Sequence, residues 1–340
     1  MNTVWHLDWQ HGKIDVHARG GMLGGVELRL GKRSLKPFYE APWLDGAEAH
    51  ADGLLGVMRS EFACVPFGVP YVPEAVTPEW REAVATVADT LDASDDLQHG
   101  YGCTGEWSLV EQSAHSIEIA IDYPAGSPIE RLERRISVDP ERPALDFVLR
   151  VHARRAVSRP LGLHPNFALP QLAGHFHIRP GAFQFGMVHP GGPEPGVSTA
   201  RAGASFESLA SVPLSSGGTG AFDRLPLDHA TEEIFQLCGS DGQVLLADLS
   251  SNAQYRLSWD AHQLPSLLLW ISNRGRQYAP WNGRNLCVGV EPVASAFELG
   301  CSTSLAPNPI QARGVATQLA FSPDAPVEIA YRIEAEILAD

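Results

Sequence analysis

The chain's short apolar runs, cut apart by glycine and proline, constrain its fold more than any other feature. "SIEIAIDY" (116–123), "LDFVLRVHA" (145–153) and "VEIAYRIEAEI" (327–337) alternate apolar and polar residues, the pattern of a strand buried on one face. "LLLWI" (267–271) is continuously apolar, as in a strand covered on both faces. "GGVELRLG" (24–31) and "QVLLADL" (243–249) are further strand-like runs between turn residues. The 32 glycines and 26 prolines punctuate these runs. Helical periodicity is scarce. The best helical candidate is 76–96, "VTPEWREAVATVADTLDASDD", with Thr77 as a cap and Pro78 at the first helical position. Strand after strand predicts an all-β protein: a large antiparallel β-sandwich with few short helices, forming a single unit over 1–340. Two stretches read as loops, 189–220 and 301–314. The first is long, rich in Gly, Pro and Ser, and reads as an insertion over a rim.

Charge narrows the possible partners. The net charge is −15, and the densest basic stretch, "ERLERRISVDPER", is interleaved with acids. Nothing here neutralises a run of phosphates, so no nucleic acid partner is expected. No stretch approaches the ~18 apolar residues of a membrane span. The start "MNTVWHLDWQHGK" lacks a basic-then-apolar leader pattern, so a soluble cytoplasmic protein, monomer or homodimer, is expected. The five cysteines, Cys64, Cys103, Cys238, Cys287 and Cys301, are odd in number and widely spaced. They read as reduced, buried thiols rather than a disulfide framework or zinc site. The two histidines of "HFH", His175 and His177, have no clear third ligand nearby and read as surface strand residues.

Four stretches place titratable groups in apolar or turn contexts. In "RPLGLHPNFALP" (159–170), His164 stands between apolar residues and Pro165, with Pro160 and Pro170 flanking. In "LCVGVEPV", Glu291 interrupts an apolar strand just before Pro292, which is expected to end it. A buried, unpaired carboxylate there would be costly and would have a raised pKa. His99 lies in the turn "QHGYG" and Arg59 in "VMRSEF". Taken singly, His164 reads more readily as a packed core histidine than as a catalyst, Glu291 equally as an exposed strand-end carboxylate, and His99 as an exposed turn residue.

Together these segments resemble the galactose mutarotase-like family, which includes the aldose 1-epimerases. The similarity runs through nearly the whole chain. "ARGGMLGGVELRLGKRSLKPFYEAPW" (18–43) is similar to the family's opening strands. "FACVPFG" (62–68) followed by His99–Gly100, "LGLHPNF" (161–167) and "VGVEP" (288–292) follow in the family's order. The resemblance implies a β-supersandwich with a hexose-binding cleft on one sheet. It implies anomer interconversion without a cofactor or metal, on a small-molecule carbohydrate. By position it makes His164 the general acid and Glu291 the general base, with His99 and Arg59 as sugar-binding residues. "LLGVMRSEF" departs from the family's Gly-rich Arg-Asn form around Arg59. The substrate-binding acid is either Asp228, by spacing, or Glu233, from the strand "TEEIFQL". Trp43, Trp107, Tyr278 and Trp281 are candidates to stack on a sugar face, with Trp281 and Asn282 favoured for the rim.

Mutarotation needs one acid and one base at the anomeric centre together, which histidine and a carboxylate can supply. It needs no nucleophile, and the sequence has no G-x-S-x-G elbow. Other readings remain open. A sugar-phosphate epimerase would use arginines such as Arg59, Arg274, Arg276 or Arg284. A glycoside hydrolase would pair Glu291 with Asp228 or Glu233 but leave His164 unexplained. A non-catalytic sugar-binding protein of the same fold need keep neither His164 nor Glu291.

Overall fold

A computed structural model describes residues 3–44, 53–70, 76–82, 84–194 and 196–338. The alternating runs form a nine-stranded antiparallel sheet with Ala144–Ala153, Val327–Ile337 and Ala253–Trp259 among its central strands and Ser108–Gln112 at one edge. The fully apolar runs form an eight-stranded sheet centred on Thr231–Cys238, Ser266–Asn273 and Leu286–Ala294. A four-stranded sheet, Val4–Trp9 through Arg33–Leu35, precedes both.

The burial pattern follows the sequence pattern. In Ala144–Ala153, Leu145, Phe147, Leu149 and Val151 are buried while residues between them are partly exposed. They join one core cluster with Phe235, Leu237, Leu267, Leu269, Ile271, Val288 and Val290 of the eight-stranded sheet. Phe167 meets Tyr255 in this layer with ring centroids 5.8 Å apart. The eight-stranded sheet is buried on its other face too. There Ile234, Leu268, Trp270, Cys287 and Val293 join a second cluster with Trp43, Phe62, Phe67, Trp80 and Phe297. Both faces of Ser266–Asn273 are therefore apolar, as "LLLWI" required.

Several local expectations change. Residues 76–96 form no α-helix but short 3₁₀ turns at Pro78–Trp80, Val84–Thr90 and Ala93–Asp96, and Ala83 lies outside the described residues. Pro78 does open the first turn, but Thr77 makes no capping bond. Val84–Thr90 buries no side chain, so the segment lacks the packed apolar stripe that sustains a helix. Within the expected loop 301–314 lies most of the α-helix Gly300–Leu305. The stretch 189–220 is tied down, with Leu209 and Val212 buried and the pair Val212–Pro213 with Thr219–Gly220 inside it. Pro292 does not end its strand, which continues to Ala294. All five cysteines are buried and unbridged.

One ion pair is sunk in the core. Arg134 and Glu61 are 1% and 0% exposed. The Arg134 guanidinium donates to Glu61, to the Tyr331 hydroxyl at 3.0 Å and to the Gly21 carbonyl at 2.6 Å. Tyr331 donates to the other Glu61 oxygen at 2.5 Å. Removing one partner of such a pair strands the other charge and typically costs about 3–5 kcal/mol, whereas replacing both with apolar residues is often neutral. Glu61→Gln is therefore expected to lose about 3–5 kcal/mol in denaturant unfolding. The double variant Glu61→Leu/Arg134→Met should lose less. A double variant as unstable as the single one would show that packing, not charge, holds this point.

Candidate active site

His164 is placed by an interruption between two short strands. Leu161–Leu163 and Asn166–Ala168 both pair with Leu286–Ala294, and Pro165 sits between them. Proline offers no N–H, so the pairing breaks there, and the Pro165 carbonyl instead accepts the Val290 N–H at 2.8 Å. On the other side, the His164 and Asn166 N–H groups donate to Phe62 and Ser60 carbonyls at 2.8 and 2.6 Å. The imidazole stacks on Phe62, with centroids 4.5 Å apart and planes 19° apart. His99 and Trp270 close in edge-on at 5.2 and 6.2 Å.

Glu291 comes from the facing strand. Its Oε1 lies 3.4 Å from His164 Nε2. The carboxylate folds back over Gly289, two residues earlier on the same face. A Cβ at Gly289 would sit 2.2 Å from that oxygen. The pair is almost closed to solvent, with His164 5% and Glu291 1% exposed. Burial drives both groups towards their neutral forms. It pushes His164 well below its usual range, helped by His99. It pushes Glu291 well above the usual carboxylate range, helped by Glu298. The pair therefore favours holding one proton between two basic atoms.

His99 joins this pair. Its backbone is left-handed, with φ of 55°, and its N–H donates to the Gly68 carbonyl at 2.7 Å. The Gly68 N–H donates back to Nδ1 at 3.3 Å, which leaves the ring proton on Nε2. The glycine of "HG" is required, because a Cβ at Gly100 would sit 2.0 Å from the Val65 carbonyl oxygen. Burial pushes His99 down to about 4.

The other sequence candidates scatter. Asp228 is 91% exposed at its side chain and pairs with His229 at 2.9 Å. Glu233 is fully buried, but it alternates with Phe235 and Leu237 towards the inter-sheet core. Its Oε1 accepts from the Thr199 N–H and hydroxyl at 2.6 and 2.7 Å, anchoring the stretch 189–220. Arg59 lies beside His17 and Gly24 of the four-stranded sheet, with Nε 3.9 Å from Glu40. Trp107 is core, and its Nε1–H donates to the Gly102 carbonyl at 2.8 Å. Trp281 is buried against Trp43 with centroids 4.8 Å apart, and Asn282 follows in an exposed left-handed turn. His177, on the far sheet, faces the Gly174 carbonyl, and His175, just before that strand, faces Ser250.

Glu232 was missed. It shares the face of Ile234, Trp270 and Glu291, and it is fully buried. It accepts from the Ser272 hydroxyl at 2.7 Å and from Trp270 Nε1–H at 3.3 Å. Burial raises its pKa, opposed by Arg276 at 4.0 Å. Asn285 donates to Ser272 at 2.6 Å and accepts the Tyr39 hydroxyl. The sequence signal was the phase of "TEEIFQL": only one of the adjacent glutamates can share a face with Phe235 and Leu237.

Buried polar atoms with no hydrogen-bond partner in the protein gather on this face: Ser60 Oγ, His164 Nδ1, Asn166 Oδ1 and Glu291 Oε1. A separate cavity of about 490 Å³ is lined by Asp92, Arg155, Arg159 and Leu305 and includes none of these residues. Its arginines are paired with Asp92 and Asp95.

No family model matches the sequence, and no curated protein matches it. Solved structures do. A candidate aldose 1-epimerase from Escherichia coli K12 is 16% identical, with a TM-score of 0.65 over 99% of this chain and 100% of that one. A galactose mutarotase-like protein from Lactobacillus casei is 14% identical, with a TM-score of 0.64 over 98% and 100%. An aldose epimerase homologue from C. elegans is 9% identical, with a TM-score of 0.63 over the whole of both chains. Such full-length agreement at low identity is agreement of architecture: this chain has the galactose mutarotase-like fold.

Proposed function

We propose that the chain is an aldose 1-epimerase, interconverting the α and β anomers of a hexose by acid–base opening and closing of the ring. The observation that supports this best is the buried His164–Glu291 pair, 3.4 Å apart with hydrogen-bonding capacity unspent. A pure binding protein has no use for such a pair, whose desolvation weakens the fold.

Glu291 takes the proton of the anomeric hydroxyl while His164 Nε2–H donates to the ring oxygen, and the C1–O5 bond breaks. The free aldehyde turns about C1–C2. Closure on the other face returns both protons, so the pair ends as it began. The imidazolium–carboxylate form that starts the reaction differs from the neutral form by one proton moved across the contact. Sugar hydroxyls replacing apolar surroundings favour that charged form. His99 Nε2–H donates to a sugar oxygen. Glu232, rather than Asp228 or Glu233, accepts sugar hydroxyls, and Trp281 and Trp43 form an aromatic wall for C–H faces. A sugar reaches the pair by displacing side chains packed over it.

Anomer exchange measured by NMR or polarimetry on fresh α-sugars should exceed the spontaneous rate for at least one hexose. His164→Ala and Glu291→Gln should each lower it by about 10²–10⁴-fold. A wild type inactive on every aldose and aldose phosphate tried would falsify the reading.

The pH profile follows from the signs. Low pH adds a second proton and makes a buried imidazolium beside a neutral acid. Burial opposes this, so the acid limb of kcat/KM lies below the ordinary histidine value of 6.5. High pH leaves a buried carboxylate beside neutral imidazole. Burial opposes that as well, so the alkaline limb lies well above 4.5. The profile should be flat between the limbs, and an acid limb above 6.5 would contradict the neutral pair. Gly289→Ala should push the carboxylate aside and lower kcat by about 10²-fold with little change in KM. Unaltered kcat would mean that the backfolded carboxylate is not the reacting one.

A further inference from the structure

Trp270 stands between His164 and a second polar group on the same face. Its ring centroid is 6.2 Å from that of His164, and its Nε1–H reaches Glu232 at 3.3 Å. The Arg276 guanidinium lies over Trp281 and Trp270, 4.8 and 5.9 Å from their centroids. Its Nε donates to Glu194 Oε2 at 3.0 Å, and its Nη1 lies 4.0 Å from Glu232. The Tyr278 hydroxyl donates to the same Glu194 oxygen at 3.1 Å. One guanidinium is thus held between two carboxylates and two indoles.

With Glu194 ionised, the charge count here is not positive. With both acids ionised the group carries −1, and with Glu232 protonated it is neutral. Cys287 lies within electrostatic reach of Glu232, Arg276 and Glu291 alike, so a third carboxyl group shares this face. The other arginines singled out in the sequence are engaged elsewhere. Arg59 faces Glu40, Arg274 donates to Gln171 at 2.7 Å, and Arg284 donates to the Pro280 carbonyl at 3.4 Å. A phosphate monoester brings a charge of about −1.5 to −2. To seat it, Arg276 would have to leave two carboxylates and strand them half-buried or buried, a like-charge arrangement that costs affinity.

We propose that the Glu194–Arg276–Glu232 bridge makes this an uncharged-sugar site and rejects phosphorylated and acidic sugars. The proposal rests on the epimerase reading for the location of the site, and on charge for its selectivity. An uncharged sugar leaves the bridge intact and adds hydroxyls to it, each able to donate to a carboxylate and accept from the guanidinium.

The test pairs D-glucose and D-galactose with their 6-phosphates and with glucuronate. Binding is measured by isothermal titration calorimetry, and anomer exchange by NMR, on the full chain. At least one neutral hexose should bind at least tenfold more tightly than its phosphate. Glu194→Gln should shrink that ratio at least tenfold. The ratio is the readout, so a general loss of activity in the variant does not obscure it. A sugar phosphate bound as tightly as its parent by the wild type overturns the proposal, as does an unchanged ratio in a folded Glu194→Gln. If that variant does not fold, the wild-type ratio alone decides. Exchange of a 6-phosphate but of no neutral hexose overturns this proposal and keeps the epimerase reading. Preferential binding of neutral hexoses without exchange does the reverse, and binding of no sugar overturns both.

Discussion

The geometry of the candidate site depends on a charge buried between the two residues that hold its histidine segment. Glu61 is locked by Arg134 and Tyr331 from two strands of the nine-stranded sheet. Its neighbours Ser60 and Phe62 supply the carbonyls that receive the Asn166 and His164 N–H groups. Phe62 also provides the ring on which the imidazole stacks. Fixing Glu61 therefore fixes a template for the segment that carries His164. The pair is expensive to bury, and apolar replacements often serve stability as well. Its directional bonds have a different use: they set the register of a very short strand, Ala63–Cys64, whose own pairing is too brief to do so.

Around that template the sheet is doubly buried, and the same burial governs the chemistry. Inside it, a histidine prefers to be neutral and a glutamate prefers to be protonated. The two preferences are compatible when one proton is shared across a contact, as at His164 and Glu291. This differs from a strong surface ion pair, in which both charges would be solvated and poor at exchanging protons with a sugar. In the neighbouring couple, His189 and Glu298 at 3.2 Å, His189 is buried and only the Glu298 side chain is partly exposed. Burial alone would raise the Glu298 pKa, but His189 outweighs it and holds the carboxyl below its usual range.

How far the sequence could be read depended on whether one face of an element was polar. The nine-stranded sheet has a solvated face, so "LDFVLRVHA" and "VEIAYRIEAEI" announce strand and orientation together. The eight-stranded sheet has none, and "LLLWI" hides that Trp270 points away from Leu269 and Ile271. The same ambiguity made Glu233 a candidate and concealed Glu232. His164 and Glu291 were legible because proline and glycine mark their strands and because the segments come in order. Asp228 was placed by spacing and Arg59 by its local context beside "FACVPFG", and neither cue can tell which side of a strand or loop a side chain takes. The stretch 76–96 has helix-forming letters, but its packed side chains, Val76 and Trp80, stand at one end and Val84–Thr90 buries none, so no continuous face packs, which only the tertiary structure decides.

The unsatisfied atoms and the aromatic walls favour the proposed kind of ligand over others. A buried polar atom without a partner destabilises a protein by about 1–3 kcal/mol, so several on one face need a reason. Ser60, His164, Asn166 and Glu291 offer both donors and acceptors within a face otherwise built of Phe62, Trp270 and Trp281. A purely apolar molecule would leave those atoms unsatisfied, and a small ion would leave the rings unused. A sugar ring is polar at its hydroxyl rim and apolar on its C–H faces, so it meets both halves of this surface at once. Those orphan atoms therefore support the proposed sugar site, where a substrate would complete their hydrogen bonds.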